Sequence, residues 1–309
     1  VPATLHDLAR ACSCNVSTVS RALRDDARIS PEMRAKVAAA AAALGYRPNL
    51  AARALVTGRS GTVWFLLGEL SSPVNHQPAE AAARLCRDHG LDLLVATHHG
   101  DRASHRRLLE RLRQGVAEGA LIAANELDQE SAELRELAAS GFPLVFIDRH
   151  LPDLTVPAAT TDHAGAVAAL VALLAERGFN AVVGLHQPGR NSVDLARAQA
   201  LEAVCHQRGL RLLPPEAPLD ERTAVMASGA FQVVDWLAAA PRRPAAIAIH
   251  DRWQGQPPAG CLVLELEQDF AAMAAAAWRL LTARLGGAPP SAAVMRVPHR
   301  AVHILPPRP

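Results

Sequence analysis

Three short segments stand at fixed spacing in the first 49 residues: Thr4-Leu-His-Asp-Leu-Ala-Arg-Ala-Cys-Ser-Cys-Asn-Val-Ser-Thr-Val-Ser-Arg-Ala-Leu23, Ile29-Ser-Pro-Glu32 and Gly45-Tyr-Arg-Pro-Asn49. Thr4 is a good N-cap, and Asp7 puts an acid against the positive end of the helix dipole. Leu5, Leu8, Ala9 and Cys12 fall on one helical face. Ser13 and Cys14 make the turn, where a left-handed backbone would suit glycine better than Ser13. The next helix is expected from near Asn15 to about Leu23, with Val19, Ala22 and Leu23 inward and Val16, Ser17, Ser20 and Arg21 outward. Ser30 as cap and Pro31 in the first turn start a third helix, Glu32–Leu44, which Gly45 stops. Two short helices joined by a tight turn and backed by a third read as a helix-turn-helix. The N-terminal half of the second helix in such a motif enters a major groove. Arg21 can contact a guanine edge or a phosphate, and Ser17 and Ser20 are short hydrogen-bonding groups.

Charge agrees with that placement. Residues 1–59 hold nine basic residues against four acids, a net +5 in a chain whose formal net charge is +2. A basic head on a mildly acidic remainder suits a polyanion at one end only. Five cysteines at irregular spacing argue against a disulfide framework and for a reducing, cytoplasmic setting. Cys12 and Cys14 lack the partners of a metal site, and core packing is expected of them. No apolar run is long enough to span a bilayer and no signal peptide precedes the head, so no membrane association is expected.

These head segments, with Gly45-Tyr-Arg-Pro-Asn-Leu-Ala-Ala-Arg-Ala-Leu55, resemble the lactose-repressor/galactose-repressor (LacI/GalR) family of bacterial transcription regulators. The resemblance implies DNA contacts from Thr4, Leu5, Val16, Ser17, Thr18, Ser20, Arg21, Tyr46, Asn49, Ala52 and Leu55. It also implies that Asn49–Val56 is a hinge helix that orders only on DNA. Two turns are too few for a stable isolated helix, so that ordering would be coupled to binding. Leu55 would be the wedge that two subunits insert into the minor groove to bend the duplex.

From Gly61 the pattern changes to short apolar strands alternating with helices. Expected strands are Thr62–Leu67, Leu91–Thr97, Gly119–Ala123 and Pro143–Asp148, with helices near Ala79–Asp88, Ser104–Gln114 and Ser131–Ala139. A second round has helix His163–Arg177, strand Ala181–His186, helices Val193–Arg208 and Ala227–Ala239, and strand Ala245–His250. This alternation predicts two doubly wound α/β lobes with a ligand cleft beyond the carboxyl ends of the strands. Phe146-Ile-Asp-Arg149, Thr161-Asp-His-Ala-Gly165 and Gln268-Asp-Phe270 resemble the strand end and lobe crossovers of the same family's periplasmic-binding-protein-like core. Carried over by position, Glu69, Asp148, Arg197, His250, Asp251 and Gln268 are the candidate effector-binding residues. For each, a surface ion pair or a helix cap is the alternative.

Three departures stand out. Val74-Asn75 follow Leu70-Ser-Ser-Pro73 where the family has aromatics, and Gly189–Asp194 departs from the family's loop. Only Arg252–Gly260 separates Asp251 from the next strand, Cys261–Leu266; roughly thirty residues, one helix and one strand, are absent there. The second lobe is thus expected to be shortened on the face that would close over a ligand.

Enzyme motifs are missing. There is no glycine-rich phosphate loop, no Gly-x-Ser-x-Gly elbow and no His-Glu-x-x-His, and no cofactor is expected. His98, His99 and His105 form the densest histidine group, expected as a solvated loop rather than a zinc site.

The chain thus divides into a helix-turn-helix (1–46), a hinge (47–60) and a core (61–309). The first lobe covers about 61–160 with the return segment after 268, and the second about 161–267 with the C-terminal strand. The expected function is a homodimeric, sequence-specific repressor on a pseudo-palindromic double-stranded operator, controlled by a sugar-like or nucleoside-like effector. One alternative is a regulator that has lost small-molecule control through the shortened lobe; another is a solute-binding α/β protein.

Overall fold

The structure is a computed structural model that describes residues 3–47, 59–71, 73–125, 128, 131–187, 191–239, 243–253 and 255–307. It separates into two compact units, Val1–Ser60 and Gly61–Pro309.

The first unit holds helices α1 (Leu5–Cys12), α2 (Val16–Ala22) and α3 (Pro31–Ala43). Thr4 and Asp7 close a reciprocal capping box on α1. Ser13 ends it at φ 53°, ψ 45°, the left-handed geometry that Gly45 also takes after α3. Ser30 Oγ accepts from the Met33 N–H, and Pro31 sits in the first turn of α3. Leu8, Cys12, Val19 and Val37 form a small sealed core. Cys12 packs there as a small apolar group, 1% exposed.

The second unit has two six-stranded sheets. The first, in the order β11-β5-β4-β3-β1-β2, is built from β1 (Thr62–Leu67), β2 (Asp92–Thr97), β3 (Gly119–Ile122), β4 (Leu144–Ile147), β5 (Ala158–Thr161) and β11 (Val294–Val297). The second, in the order β12-β10-β9-β8-β6-β7, has β6 (Ala181–Gly184), β7 (Arg211–Leu213), β8 (Thr223–Ala227), β9 (Ala246–Ile249), β10 (Leu262–Glu267) and β12 (Ala301–Leu305). All pairings are parallel except β10 with β12.

Alternation along the strands covers both sheet faces. Val63, Phe65 and Leu67 of β1 pack under α4 (Pro73–Asp88) and α10 (Phe270–Leu285). Trp64 and Leu66 pack under α5 (Arg102–Arg113) and α6 (Ala132–Ala139). In the second sheet, Val182, Met226, Ala248 and Leu264 meet α7 (His163–Glu176) and α8 (Ser192–Arg208). Val183, Val225, Ile247 and Val263 meet α9 (Ala230–Ala239) and Trp253.

The chain passes between lobes three times, at Asp162, at Gln268-Asp269 and between β11 and β12. The first passage is fixed by the Asp162 side chain, which accepts from the Gly165 N–H at 3.1 Å. A Cβ on Gly165 would collide with that carboxylate, so the cap requires glycine here.

Two expectations are corrected. Ala227 is the last residue of β8 and not the first of a helix: Thr223–Ala227 is buried at every position, and α9 begins only at Ala230. The side-chain oxygen of Gln232 accepts from the N–H groups of Ser228 and Gly229 and holds that break. Helix α4 begins at Pro73, a turn and a half before the predicted Ala79. The second sheet has six strands, as many as the first. Strands β9 and β10 pair directly, and the described residues between them form neither helix nor strand.

Candidate functional site

In the head, α2 presents Ser17 and Arg21 exposed on one face, one helical turn apart. Thr18 and Ser20 are half-buried. Val16 is drawn partly inward against the head core, where the sequence suggested an outward side chain; the tight turn at Ser13-Cys14 brings the start of α2 against α1. Leu5 and Tyr46 are also half-buried on that core. Thr4 is spent on the α1 cap: its hydroxyl, its N–H and then Arg10 hold the Asp7 carboxyl down at about 2. Arg34 pairs with Asp25 and Arg28 with Asp26, so ion pairs offset the acids and leave the basic excess in place. Asn49, Ala52 and Leu55 lie outside the described residues.

In the second unit the carboxyl ends of strands from both lobes converge. Asp148 follows β4 at φ 64°, a left-handed conformation unusual for a non-glycine residue and typical of strained functional positions. Arg149 Nε lies 3.6 Å from Asp148 Oδ2, and Arg149 Nη2 donates to Asn75 Oδ1 at 2.8 Å. From the other lobe comes Arg197 of α8, 4% exposed. It donates to His163 Nδ1 at 3.3 Å and to the Ser228 carbonyl at 3.4 Å. Burial pulls its affinity for a proton down, and Asp251, Asp148 and Asp194 pull it back up.

Gln268 ties the crossovers together. Its side-chain nitrogen donates to Asp251 Oδ1 at 3.0 Å and to the His250 carbonyl at 3.2 Å, while its oxygen accepts from Thr161 Oγ1 at 2.7 Å. Burial pushes the Asp251 carboxyl up to about 7, against Arg197 and the Gln268 hydrogen bond and with help from Asp148. Asp148 is likewise pushed up by burial, against Arg149 and Arg197.

Histidines surround Arg197. Burial, then the charge of Arg197, drives His163 and His250 well below the ordinary imidazole range and His186 to about 3. Burial and Arg296 lower His150. The rings therefore stay neutral. Ser228 Oγ donates to Asp194 Oδ1, so at the 3.1 Å contact between Ser228 and His186 the Nδ1 atom is the donor. His250 is completely buried, and neither of its ring nitrogens has a hydrogen-bond partner; His186 Nε2 and His150 Nδ1 are also unpaired. A recess of about 310 Å³ opens beside this group, lined by Gly184, His186, Ala198, Leu201 and residues 212–215.

Five of the six predicted cleft residues, Asp148, Arg197, His250, Asp251 and Gln268, come together here. Glu69 does not; it stands exposed after β1. Asp194, Ser228 and the histidines at 150, 163 and 186 were not singled out in the sequence. Only the strand-end position of His186 offered a signal.

His98 and His105 are not a solvated loop. They are 3% and 4% exposed: His105 lies on the buried face of α5 with Leu109 and Leu112, and the His98 ring packs edge-on against it at 5.0 Å. His105 Nε2 meets Asp128 Oδ1 at 2.7 Å, and Asp128 Oδ2 accepts from the Asn125 N–H at 2.8 Å. His99 alone of the three is exposed.

Comparison with known proteins gives a consistent picture. Residues 4–49 match the model of bacterial regulatory proteins of the lacI family, and residues 60–227 match that of periplasmic binding proteins and the sugar binding domain of the LacI family. The chain is 30% identical over 211 residues to the HTH-type transcriptional regulator PtxS of Pseudomonas putida, a match covering 67% of this chain and 61% of that protein. It thus spans about three fifths of the length of that curated relative. The fold superposes on a lac repressor dimer bound to operator and the anti-inducer ONPF with a TM-score of 0.77, at 16% identity over 99% of this chain and 98% of that one. The Cra regulator of Pseudomonas putida in complex with fructose 1-phosphate superposes at 0.62, with 22% identity over 79% of this chain and 98% of that one.

Proposed function

We propose, from the premise that the chain belongs to the LacI family of bacterial regulatory proteins, that it is a homodimeric repressor that reads a pseudo-palindromic DNA operator. The observation that carries this reading is the head. A helix-turn-helix with a basic excess exposes Ser17 and Arg21 on the helix that such motifs lay in the major groove. The hinge residues 47–60, with Leu55 as the minor-groove wedge, complete the DNA-binding part of the proposal.

Two subunits are needed to read two half-sites. The edge strand β2 supports a self-complementary face: it is unpaired on its outer side and carries Leu94 and Val95, 43% and 38% exposed. The proposed effector site is the Asp148–Arg197–His250–Asp251–Gln268 group, where a ligand would bridge lobes and shift the equilibrium between DNA-competent and DNA-poor states.

Selection of bound sequences from a random DNA pool tests the proposal. A single preferred pseudo-palindrome is the expected outcome; no preference at low ionic strength would overturn it. On the selected site, Arg21→Ala should weaken binding by about 10- to 100-fold and leave random DNA little affected. Equal losses on both would make Arg21 a phosphate contact. The absence of helix and strand among the described residues between β9 and β10 favours one second reading, a regulator without small-molecule control. Specific DNA binding that no small molecule alters would select it.

A further inference from the structure

We propose that a recess in the second lobe, outside the Asp148–Arg197 group, is a separate binding site for a neutral, single-ring hydrophobic compound. Every described wall of this recess belongs to the second lobe, so the site is independent of the effector reading above.

The recess lies between α8 and the carboxyl ends of the paired strands β6 and β7, and it holds about 310 Å³. Gly184, the last residue of β6, lines it. A Cβ there would stand 3.0 Å from Leu201 Cδ2 and 3.7 Å from Leu212 Cδ1, so glycine keeps space between these two leucines. Glycine within a strand commonly marks such a close approach. From α8, Ala198 offers only a methyl group where a longer side chain would fill the space. The remaining wall, Leu213-Pro214-Pro215, is fixed in place. Two successive prolines restrict their own φ angles. The Ala217 N–H donates to the Pro214 carbonyl at 3.0 Å, and Trp236 Nε1 donates to the Pro215 carbonyl at 3.0 Å. The recess is therefore preformed, which spares a ligand the cost of ordering it.

The lining chemistry selects the class of ligand. Among the described residues the side chains that line the recess are aliphatic except for His186, and none is charged. His186 is neutral: burial, then Arg197, drives its imidazole down to about 3, and its Nδ1–H is already given to Ser228 Oγ. An ammonium, carboxylate or phosphate would lose water here without gaining a counter-charge, and a sugar would leave most of its hydroxyls unpaired. An apolar ring has no such loss. Leu212 in the lining is 42% exposed, and Leu195, one turn before Ala198 on α8, is 40% exposed. Covering part of that apolar surface supplies the driving force. A volume of about 300 Å³ is at the lower end of small-molecule sites, where a single ring with a short substituent fits.

The test follows the indole N–H resonances of the four tryptophans in the full chain by NMR, with that of Trp236 assigned from Trp236→Phe. Benzyl alcohol and cyclohexylmethanol are titrated as neutral rings, one aromatic and one alicyclic. Benzylammonium, benzoate and glucose are the charged and polyhydroxylated comparisons. At least one neutral ring should move the Trp236 resonance, with a dissociation constant of about 1 mM or below. Trp64 and Trp278, which pack in the first lobe, should not move. The charged and sugar probes should bind at least about tenfold more weakly. Ala198→Leu, which fills the recess from α8, should abolish the response. Leu212→Ser, at an exposed position, should weaken it about threefold or more. No movement of Trp236 by either neutral ring up to about 10 mM would overturn the site. Charged probes or glucose binding as tightly as the neutral rings would overturn the class of ligand. A response that survives both substitutions would overturn the location.

Discussion

Ser13 shows how much one backbone angle decides in the head. It takes φ 53° at the end of α1, and the turn it makes lets the Cys14 N–H bond the Ala9 carbonyl at 3.0 Å. A side chain in that conformation costs about 1–2 kcal/mol. Part of that gain is cancelled in Ser13→Gly by the freer unfolded chain. We expect a net stabilisation of about 0.5–1 kcal/mol, read as slower hydrogen exchange of the α1 and α2 amides; unchanged or faster exchange would refute it. This position was legible in the sequence because the turn is local. The same holds for Ser30, Pro31 and Gly45, each of which acts on its immediate neighbours. The cleft was legible only in part. Asp148, Asp251 and Gln268 end strands and could be found by position. Asp194 and His163 sit in the first turns of their helices and look like ordinary caps; only the packing of α7 against α8 reveals that they share one guanidinium. Glu69 follows a strand as Asp148 does, yet it is exposed where Asp148 is buried.

At the scale of elements, the connection between β9 and β10 depends on one buried acid. Glu265 is 2% exposed and accepts from the Trp253 N–H at 2.8 Å. Arg252 Nε lies 2.7 Å from its other oxygen as an ion pair, out of line for a hydrogen bond. These contacts hold Trp253 over the sheet beside α9, where it packs with Val263 and Ile249. Glu265→Ala removes the acceptor and leaves the part-buried Trp253 N–H unsatisfied. It should cost about 2 kcal/mol, seen as a lower urea midpoint; an unchanged midpoint would show that the strap holds by packing alone. Long elements such as α8 and β1 could be read from their periodicity. Strands β5, β7 and β8 could not: β7 is three residues long, and Thr223–Ala227 runs into an Ala-rich segment that reads as helix. β5 reads Ala-Ala-Thr-Thr and becomes a strand only because β4 and β11 flank it.

At the scale of the whole molecule, the proposed dimer makes a prediction that DNA binding alone does not. Leu94→Glu sets a charge on the outer face of β2, where two copies would place it against its twin. We expect the variant to sediment as a monomer at micromolar concentration and to lose most of its affinity for a two-half-site operator, with its fold intact by circular dichroism. A variant that stays dimeric would move the interface elsewhere. The direct parallel pairing of β9 with β10 has one more implication, for how such a protein can change length. β9 and β10 still run the same way, in register from Ala246 opposite Leu262 to Ile249 opposite Glu265. Excising a strand together with its return helix preserves the direction of every strand that remains, whereas excising either piece alone would point the next one backwards. A parallel sheet of this kind therefore tolerates loss or gain only in whole steps, after which the neighbouring strands can close ranks.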